Sequence, residues 1–309
     1  MNKKILKSIL IGGIIAIIFA SCAEDVLKSD YDHIPDPAKV PGGVVSLAVV
    51  DTGIVEVTVK GSVTANAITK DNTLLDWGFV FFTADMLARG EYLVASASRT
   101  KTQFEFSVNL PHLMPNTYYF CQAYALNVNG IAYGEVLPFK TKPPQSLPFQ
   151  LLVSDPKSVW DRANFTHIDA DGDGNIWELA YLDGDEQMEI GLVSFSWWDN
   201  LALKPENYVF LPPLQLGNSP AKVDLDIEAL DPGYFAEKFK VVIASAPVAN
   251  AAQARSAQVI DSYTLQDADR TTFTFVIPSA FIGRVVWIGV CHYDSTDEYA
   301  IGITNIKVY

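Results

Sequence analysis

Asp169-Ala170-Asp171-Gly172-Asp173-Gly174-Asn175-Ile176-Trp177 sets three carboxylates at alternate positions with glycines between them. Side chains at i, i+2 and i+4 converge when the backbone curls, and Gly172 and Gly174 permit that curl. Three aspartates within five residues repel one another unless a cation lies among them. An all-oxygen set selects a hard ion. Asp169, Asp171 and Asp173, with Asn175 adding a side-chain or backbone oxygen, are therefore the expected ligands of Ca2+. A solvated Asp/Gly turn is the alternative, because these residues are common turn formers.

The D-x-D-x-D-G spacing also begins the EF-hand pattern, and the fold class depends on whether that pattern continues. With Asp169 as the first position, the twelfth is Ala180, where an EF-hand needs a bidentate Glu. No amphipathic helical pattern flanks the loop. It reads instead as a loop spanning two strands of a β-domain.

Alternation with a period of two supports that reading downstream. Val223, Leu225 and Ile227 alternate with Asp224, Asp226 and Glu228; Phe273 and Phe275 follow, then runs from Val285 to Val290 and from Ala300 to Val308. Only the Ala-rich stretch from Val248 to Ala257 suggests a short helix, and a loop fits it equally well.

The same period governs the N-terminal half. Val55, Val57 and Val59 alternate with Glu56, Thr58 and Lys60, and Phe104, Phe106 and Val108 with Glu105, Ser107 and Asn109. Asn129-Gly130 signals a hairpin between two such runs. His112 reads as a loop residue and Trp77 as core. Lys142-Pro143-Pro144-Gln145-Ser146-Leu147-Pro148 is a stiff three-proline connector. The organisation expected is a β-unit over 40–142, a linker over 143–148 and a second β-unit over 149–309.

Residues 1–22 read as an export leader: Lys3, Lys4 and Lys7, an apolar run from Ile9 to Ala20, then small residues. That run is shorter than the roughly twenty residues a membrane-spanning helix needs. Phe19-Ala20-Ser21-Cys22 resembles the lipobox of bacterial lipoproteins, with Phe19 where Leu is commoner. The resemblance implies cleavage before Cys22 and acylation of its sulfur. Two or three acyl chains, at ~0.8 kcal/mol per buried CH2, would hold the protein at a membrane surface. Ala23-Glu24-Asp25 resembles the signal that sends some Gram-negative lipoproteins to the outer face of the cell, so outer-membrane anchoring facing the exterior is expected. Polar residues 23–39, with Pro35 and Pro37, read as a tether.

The formal charge of the 309-residue chain is −14, and loss of the three leader lysines takes it to −17. Such a surface repels phosphate backbones, which argues against nucleic acid as a partner. Apart from Cys22, only Cys121 and Cys291 remain. Both lie in apolar alternating runs of different units and are expected to be small buried hydrophobes without a disulfide.

Leu113-x-Pro115-x-Thr117-x-Tyr119-x-Cys121-x-Ala123 resembles the end of the fibronectin type III pattern. The resemblance implies that Tyr119 turns its hydroxyl back to the backbone while Cys121 and Ala123 face the core. In the second unit four ordered segments resemble the cleaved-adhesin, or choice-of-anchor J, family of surface jelly-roll domains. They are Ile168 to Trp177, Ala202-Leu203-Lys204-Pro205-Glu206-Asn207-Tyr208, Glu237-Lys238-Phe239-Lys240-Val241, and Val286 to Asp297. That resemblance implies a calcium-stabilised sandwich used for adhesion or glycan contact. It carries over Asp169, Asp171, Asp173 and Asn175 as ligands and suggests Asp297 as a closing one. Asn305 stands where the family commonly has Asp, which lowers the negative charge at any second cation site.

No G-x-S-x-G, H-E-x-x-H, C-x-x-C or phosphate loop occurs, and the four histidines show no metal spacing. His292 reads as a hydrogen-bonded core or rim histidine. A carboxylate pair for glycoside hydrolysis leaves no sequence signature. Trp197-Trp198 is the best ligand-facing candidate: adjacent strand residues point to opposite faces, so one ring is expected inside and the other outside, although a loop burying both fits too. The expectation is thus an all-β protein, a fibronectin/Ig-like sandwich followed by a larger jelly roll. Its expected function is a non-catalytic, lipid-anchored surface adhesin or carbohydrate-binding protein that contacts glycan or a host or surface protein. A structural subunit of an outer-membrane uptake or assembly complex is the alternative, and a glycan-active hydrolase a third.

Overall fold

Alternating apolar residues of the N-terminal half become strands β1 (Val44–Thr52), β2 (Val57–Val63), β3 (Asp76–Phe82), β4 (Leu93–Ser96), β5 (Glu105–Leu110), β6 (Tyr118–Asn127) and β7 (Gly130–Lys140). The computed structural model describes residues 37–63, 74–97, 105–155, 165–182 and 190–309. The leader, Cys22, the tether as far as residue 36 and Phe104 lie outside the described residues. The chain divides into two units, residues 1–142 and 143–309.

In the first unit a β1-β2-β5 sheet faces a β4-β3-β6-β7 sheet, the three-on-four order of a fibronectin/Ig-like sandwich. Val57, Val59, Phe79, Phe81, Cys121 and Ala123 fill its core. The Tyr119 ring stacks on Phe139 at 5.6 Å. Its hydroxyl accepts the Met114 amide at 3.1 Å, so the tyrosine pins the corner before β6. The β6–β7 hairpin turns one residue earlier than Asn129-Gly130 suggests: Asn127 pairs with Gly130, leaving Val128 and Asn129 as the loop. Trp77 is half-buried against the core, and His112 sits in a connection with left-handed φ of 61°.

The second unit continues with β8 (Gln145–Ser146), β9 (Phe149–Leu152), β10 (Thr166–Asp169), β11 (Glu178–Tyr181), β12 (Ile190–Phe195), β13 (Trp197–Trp198), β14 (Leu201–Ala202) and β15 (Glu206–Phe210). It is completed by β16 (Leu214–Gln215), β17 (Lys222–Ala229), β18 (Lys238–Ala244), β19 (Gln258–Thr264), β20 (Thr271–Val276), β21 (Val285–Tyr293) and β22 (Ala300–Val308). One sheet centres on β21, which pairs with β15, β16 and β18. The other runs β11-β12-β22-β17-β20, with β9 on β22. Their inner faces meet in one core of Leu192, Leu225, Ile227, Ile303 and Ile306 against Val209, Phe239, Val241, Ile288 and Val290. Full burial of each such side chain stabilises by about 1.5–3 kcal/mol. The whole is all-β, an Ig-like sandwich followed by a larger jelly-roll sandwich.

Two local features shape the larger sandwich. In β22 the inward residues are Ile301 and Ile303 and then Ile306 and Val308, because a register shift opposite Asp226/Ile227 inserts one residue. In β21 Gly289 lets the Phe210 ring lie on the backbone, since a Cβ there would come 2.6 Å from Phe210 Cδ1. The Ala-rich stretch does form a helix, α1 (Ala251–Ser256), capped by Asn250 Oδ1 accepting the Gln253 amide at 3.0 Å. No described helix is long and apolar enough to cross a membrane. Cys121 and Cys291 are both free and buried.

Tyr119→Phe deletes only the corner hydrogen bond. We expect it to lower stability by about 1 kcal/mol, seen in urea unfolding as a lower midpoint with unchanged slope.

Candidate metal centre

Asp169 ends β10 and Asp171 and Asp173 follow in the loop, so their positions are set by how the backbone turns after the strand. Gly172 and Gly174 take φ of 82° and 90°, and a Cβ at either would meet nothing within 4 Å. The demand there is purely conformational, which is why glycine is needed. The carboxylates turn inward onto the loop's own amides. Asp169 Oδ1 accepts Gly172 N–H at 2.6 Å and Oδ2 accepts Gly174 N–H at 2.8 Å. Asp171 Oδ1 accepts Asp173 N–H at 3.0 Å, and Asp173 Oδ1 accepts Asn175 N–H at 2.7 Å.

One oxygen from each aspartate lies within 4.8 Å of the others, about twice the ~2.3–2.6 Å calcium–oxygen bond. Oxygens so spaced fit around one hard cation. Although burial pushes the Asp169 carboxyl up, the amides of Gly174 and Gly172 hold it below its usual value. Asp171 is raised, by burial first and also by the charge of Asp173, against the amides of Glu206 and Asp173. The loop thus keeps some like-charge repulsion.

The loop is fastened to β15 at both ends. Asp169 pairs with Asn207, and Ala170 N–H donates to Glu206 O at 3.1 Å. Glu206 N–H donates to Asp171 Oδ2 at 2.5 Å. Beyond the loop, Trp177 is fully buried and its indole N–H donates to Asn207 O at 2.8 Å. Arg255, on α1, closes the set: its Nη2 donates to Ala170 O at 2.6 Å and to Glu206 Oε2 at 2.5 Å, while Nε reaches Oε2 at 2.9 Å. Those contacts, Arg255 first, hold the Glu206 carboxyl below its usual range.

The clasp formed by Glu206 and Arg255 is missed by sequence reasoning. Glu206 lies in a motif segment, but Arg255 is distant in sequence and no short spacing reports it. The loop brings the three aspartates together, whereas Asn175, expected to add an oxygen, meets them through its backbone N–H, which donates to Asp173 Oδ1. Asp297 is not in that oxygen group among the described residues; its amide donates to Ser196 O at 3.3 Å instead. Asn305 donates from Nδ2 to Asp226 Oδ2 at 3.0 Å, a donor's role that an aspartate there would turn into repulsion.

A second polar cluster lies inside the sandwich. Glu237, His292, Ser194, Ser196 and Asn207 have no solvent exposure. His292 Nε2 lies 2.8 Å from Glu237 Oε2 and Nδ1 lies 2.9 Å from Ser194 Oγ. Ser196 Oγ and Tyr299 N–H donate to Glu237 Oε1 at 2.7 and 3.2 Å. Asn207 Nδ2 donates to Ser194 Oγ at 3.3 Å. Both ring nitrogens of His292 are thus engaged, while Asn207 Oδ1 is buried without a hydrogen-bond partner among the described residues. The Ser–His–Glu composition is that of a nucleophile, base and acid, but the ring nitrogens are reversed, with Nδ1 toward the serine and Nε2 toward the acid, and the serine is fully buried. Its work is to join Ser194 of one sheet to His292 of the other. His292 is thus a hydrogen-bonded core residue.

Trp198 is the outward member of the tryptophan pair, 50% exposed, while Trp197 is half-buried rather than core.

No protein-family model matches this chain, and a comparison with curated protein sequences found no match. Among solved structures, the K1 cleaved adhesin domain of Lys-gingipain from Porphyromonas gingivalis W83 is similar at 21% identity. It covers 52% of this chain and 98% of its own, with a TM-score of 0.43. A carbohydrate-binding module of the β-sandwich superfamily is 10% identical over 87% of this chain and 99% of its own, TM-score 0.34. The fibronectin type III domain of human fibronectin type III domain containing protein 3 is 17% identical over 34% and 88%, TM-score 0.25. The fold assignment rests on the chain's own strand order and register.

Two outcomes are expected. Because the Glu206 carboxyl is depressed in the folded state, the clasp adds stability above the usual carboxylate range and loses it as pH falls through the depressed value. In EDTA, thermal melts of wild type and Glu206→Gln should differ by no more than about 1 kcal/mol at neutral pH and converge in acid. His292→Ala leaves the buried Glu237 Oε2 without its hydrogen-bond partner and should cost at least about 1–3 kcal/mol, read by urea unfolding.

Proposed function

We propose that this chain is a lipid-anchored surface protein whose distal sandwich is a calcium-braced, non-catalytic module for binding extracellular glycan or a surface protein. The observation that carries the reading is the clasped loop. Three aspartate oxygens within 4.8 Å of one another, in a loop fixed at both ends to β15, fit a divalent ion, and the Asp171 carboxyl is raised by burial first and then by the charge of Asp173. A bound Ca2+ would supply positive charge there, with Asp169, Asp171 and Asp173 as ligands and Asn175 beside them. It would act as a brace, because the loop it would occupy is tied to β15 through Asp169, Ala170, Asp171 and Trp177. The enclosed Ser194–His292–Glu237 set favours the same non-catalytic reading.

Phe19-Ala20-Ser21-Cys22 supports a lipid on Cys22, and Ala23-Glu24-Asp25 supports the outward face of the outer membrane. The fibronectin-like unit then serves as spacer and presenter. The net charge of −14 disfavours nucleic acid.

With a dissociation constant of ~10 μM, ~1 mM Ca2+ would add roughly 2.7 kcal/mol to the distal unit. We expect thermal melting to rise by roughly 5–10 °C with calcium and to fall back with EDTA. Asp171→Ala should lower the melt, and added calcium should not restore it. A wild-type melt indifferent to calcium removes the brace. A glycan array run with calcium and with chelator tests the binding role. Silence in both, with co-purified membrane proteins, would move the chain to the assembly-subunit class, and polysaccharide turnover would make it an enzyme.

A further inference from the structure

β13 and β14 form a two-residue hairpin in which Trp197 pairs with Ala202 and Trp198 with Leu201. Its turn residues, Asp199 and Asn200, both take left-handed φ, 49° and 64°. Both central residues of a type I′ turn need φ > 0, and glycine is the usual second residue. Here both positions carry polar side chains instead, at some backbone cost. The turn therefore presents a carboxylate and a carboxamide beside the Trp198 indole.

The hairpin is held from below. Ser196 and Trp197 N–H groups donate to Tyr299 O at 3.0 and 3.2 Å, and Leu203 N–H donates to Ser196 O at 2.8 Å. Phe195 supports the Trp198 ring at 4.6 Å, and Tyr299 packs on both Phe195 and Trp197 at 6.0 and 6.3 Å. Trp198 and Leu201 remain 50% and 64% exposed. Among the described residues, none hydrogen-bonds to the Asp199 carboxylate, the Asn200 amide or the Asp297 carboxylate, all exposed at this corner.

We infer that the Trp198 face with Asp199 and Asn200 is a stacking platform for one neutral pyranose ring of a glycan. The inference rests on the glycan arm of the function proposed above and names its site. The face of a gluco- or galacto-configured pyranose offers apolar C–H bonds that match an indole, and its rim offers hydroxyls that both donate and accept. Asp199 supplies acceptors, and Asn200 supplies both kinds of group. Asp199 and Asp297 disfavour sulfated and sialylated sugars. One indole and one leucine expose far less than the ~800 Å² per partner of a stable protein interface, which argues against a protein occupant.

The test is a defined-glycan array with the full chain, followed by titration of the glycans bound, for wild type, Trp198→Ala and Trp198→Phe. We expect wild type to bind neutral hexopyranosides, Trp198→Ala to lose roughly tenfold or more in affinity, and Trp198→Phe to retain most of it. An unchanged thermal melt would show that the alanine variant is folded. Wild-type levels of binding by Trp198→Ala would overturn the platform and leave the glycan reading standing. Binding only to sulfated or sialylated glycans would overturn the stated ligand class. No glycan binding by wild type, with or without calcium, would overturn both, as would a protein partner lost in Trp198→Ala.

Discussion

A carboxyl group enclosed between two apolar sheets is tolerated only when its oxygens are hydrogen-bonded, and Glu237 is the group that sets this condition. Its partners come from Ser196, His292 and Tyr299, and His292 passes the requirement on to Ser194 across the sandwich. Satisfying them joins the two sheets at one end through specific hydrogen bonds in addition to apolar packing. Asn207 and Trp177 extend the set to the aspartate loop, and Ser196 and Tyr299 extend it to the tryptophan hairpin.

The two exposed features at this end are built differently. The loop is electrostatic: its amides, the Glu206 backbone and the Arg255 clasp hold three acids in a small volume. The hairpin is apolar and conformational: an aromatic stack supports it, and its turn uses backbone geometry that few residues accept. Each depends on β-strands whose inner faces are buried in the common core, so neither needs a mobile segment to be formed.

Much of the architecture was legible in the sequence. Alternation at Val57 and Val59, and at Val223, Leu225 and Ile227, marked strands with one buried face because side-chain period and burial coincide there. Tyr119 was legible through the resemblance of Leu113 to Ala123 to the fibronectin type III pattern, and its hydroxyl accepts the Met114 amide as that resemblance implies. The alternation failed at Thr304-Asn305, where an inserted residue re-phases β22, a pairing property that no single strand shows. Trp197 proved half-buried rather than core because β13 lies in a small hairpin, outside the two large sheets.

The sequence by itself determined the aspartate loop, the strand class and the two-unit order, because each follows from neighbours a few residues apart. Only the tertiary structure decided that Glu206 and Arg255 clasp the loop, that Asp297 lies by the tryptophan hairpin instead, and that Ser194, Glu237 and His292 meet inside the core. Those contacts join residues 49 to 101 positions apart. Which residues meet over such spans is set by sheet register and sandwich packing, and short spacing carries no trace of either.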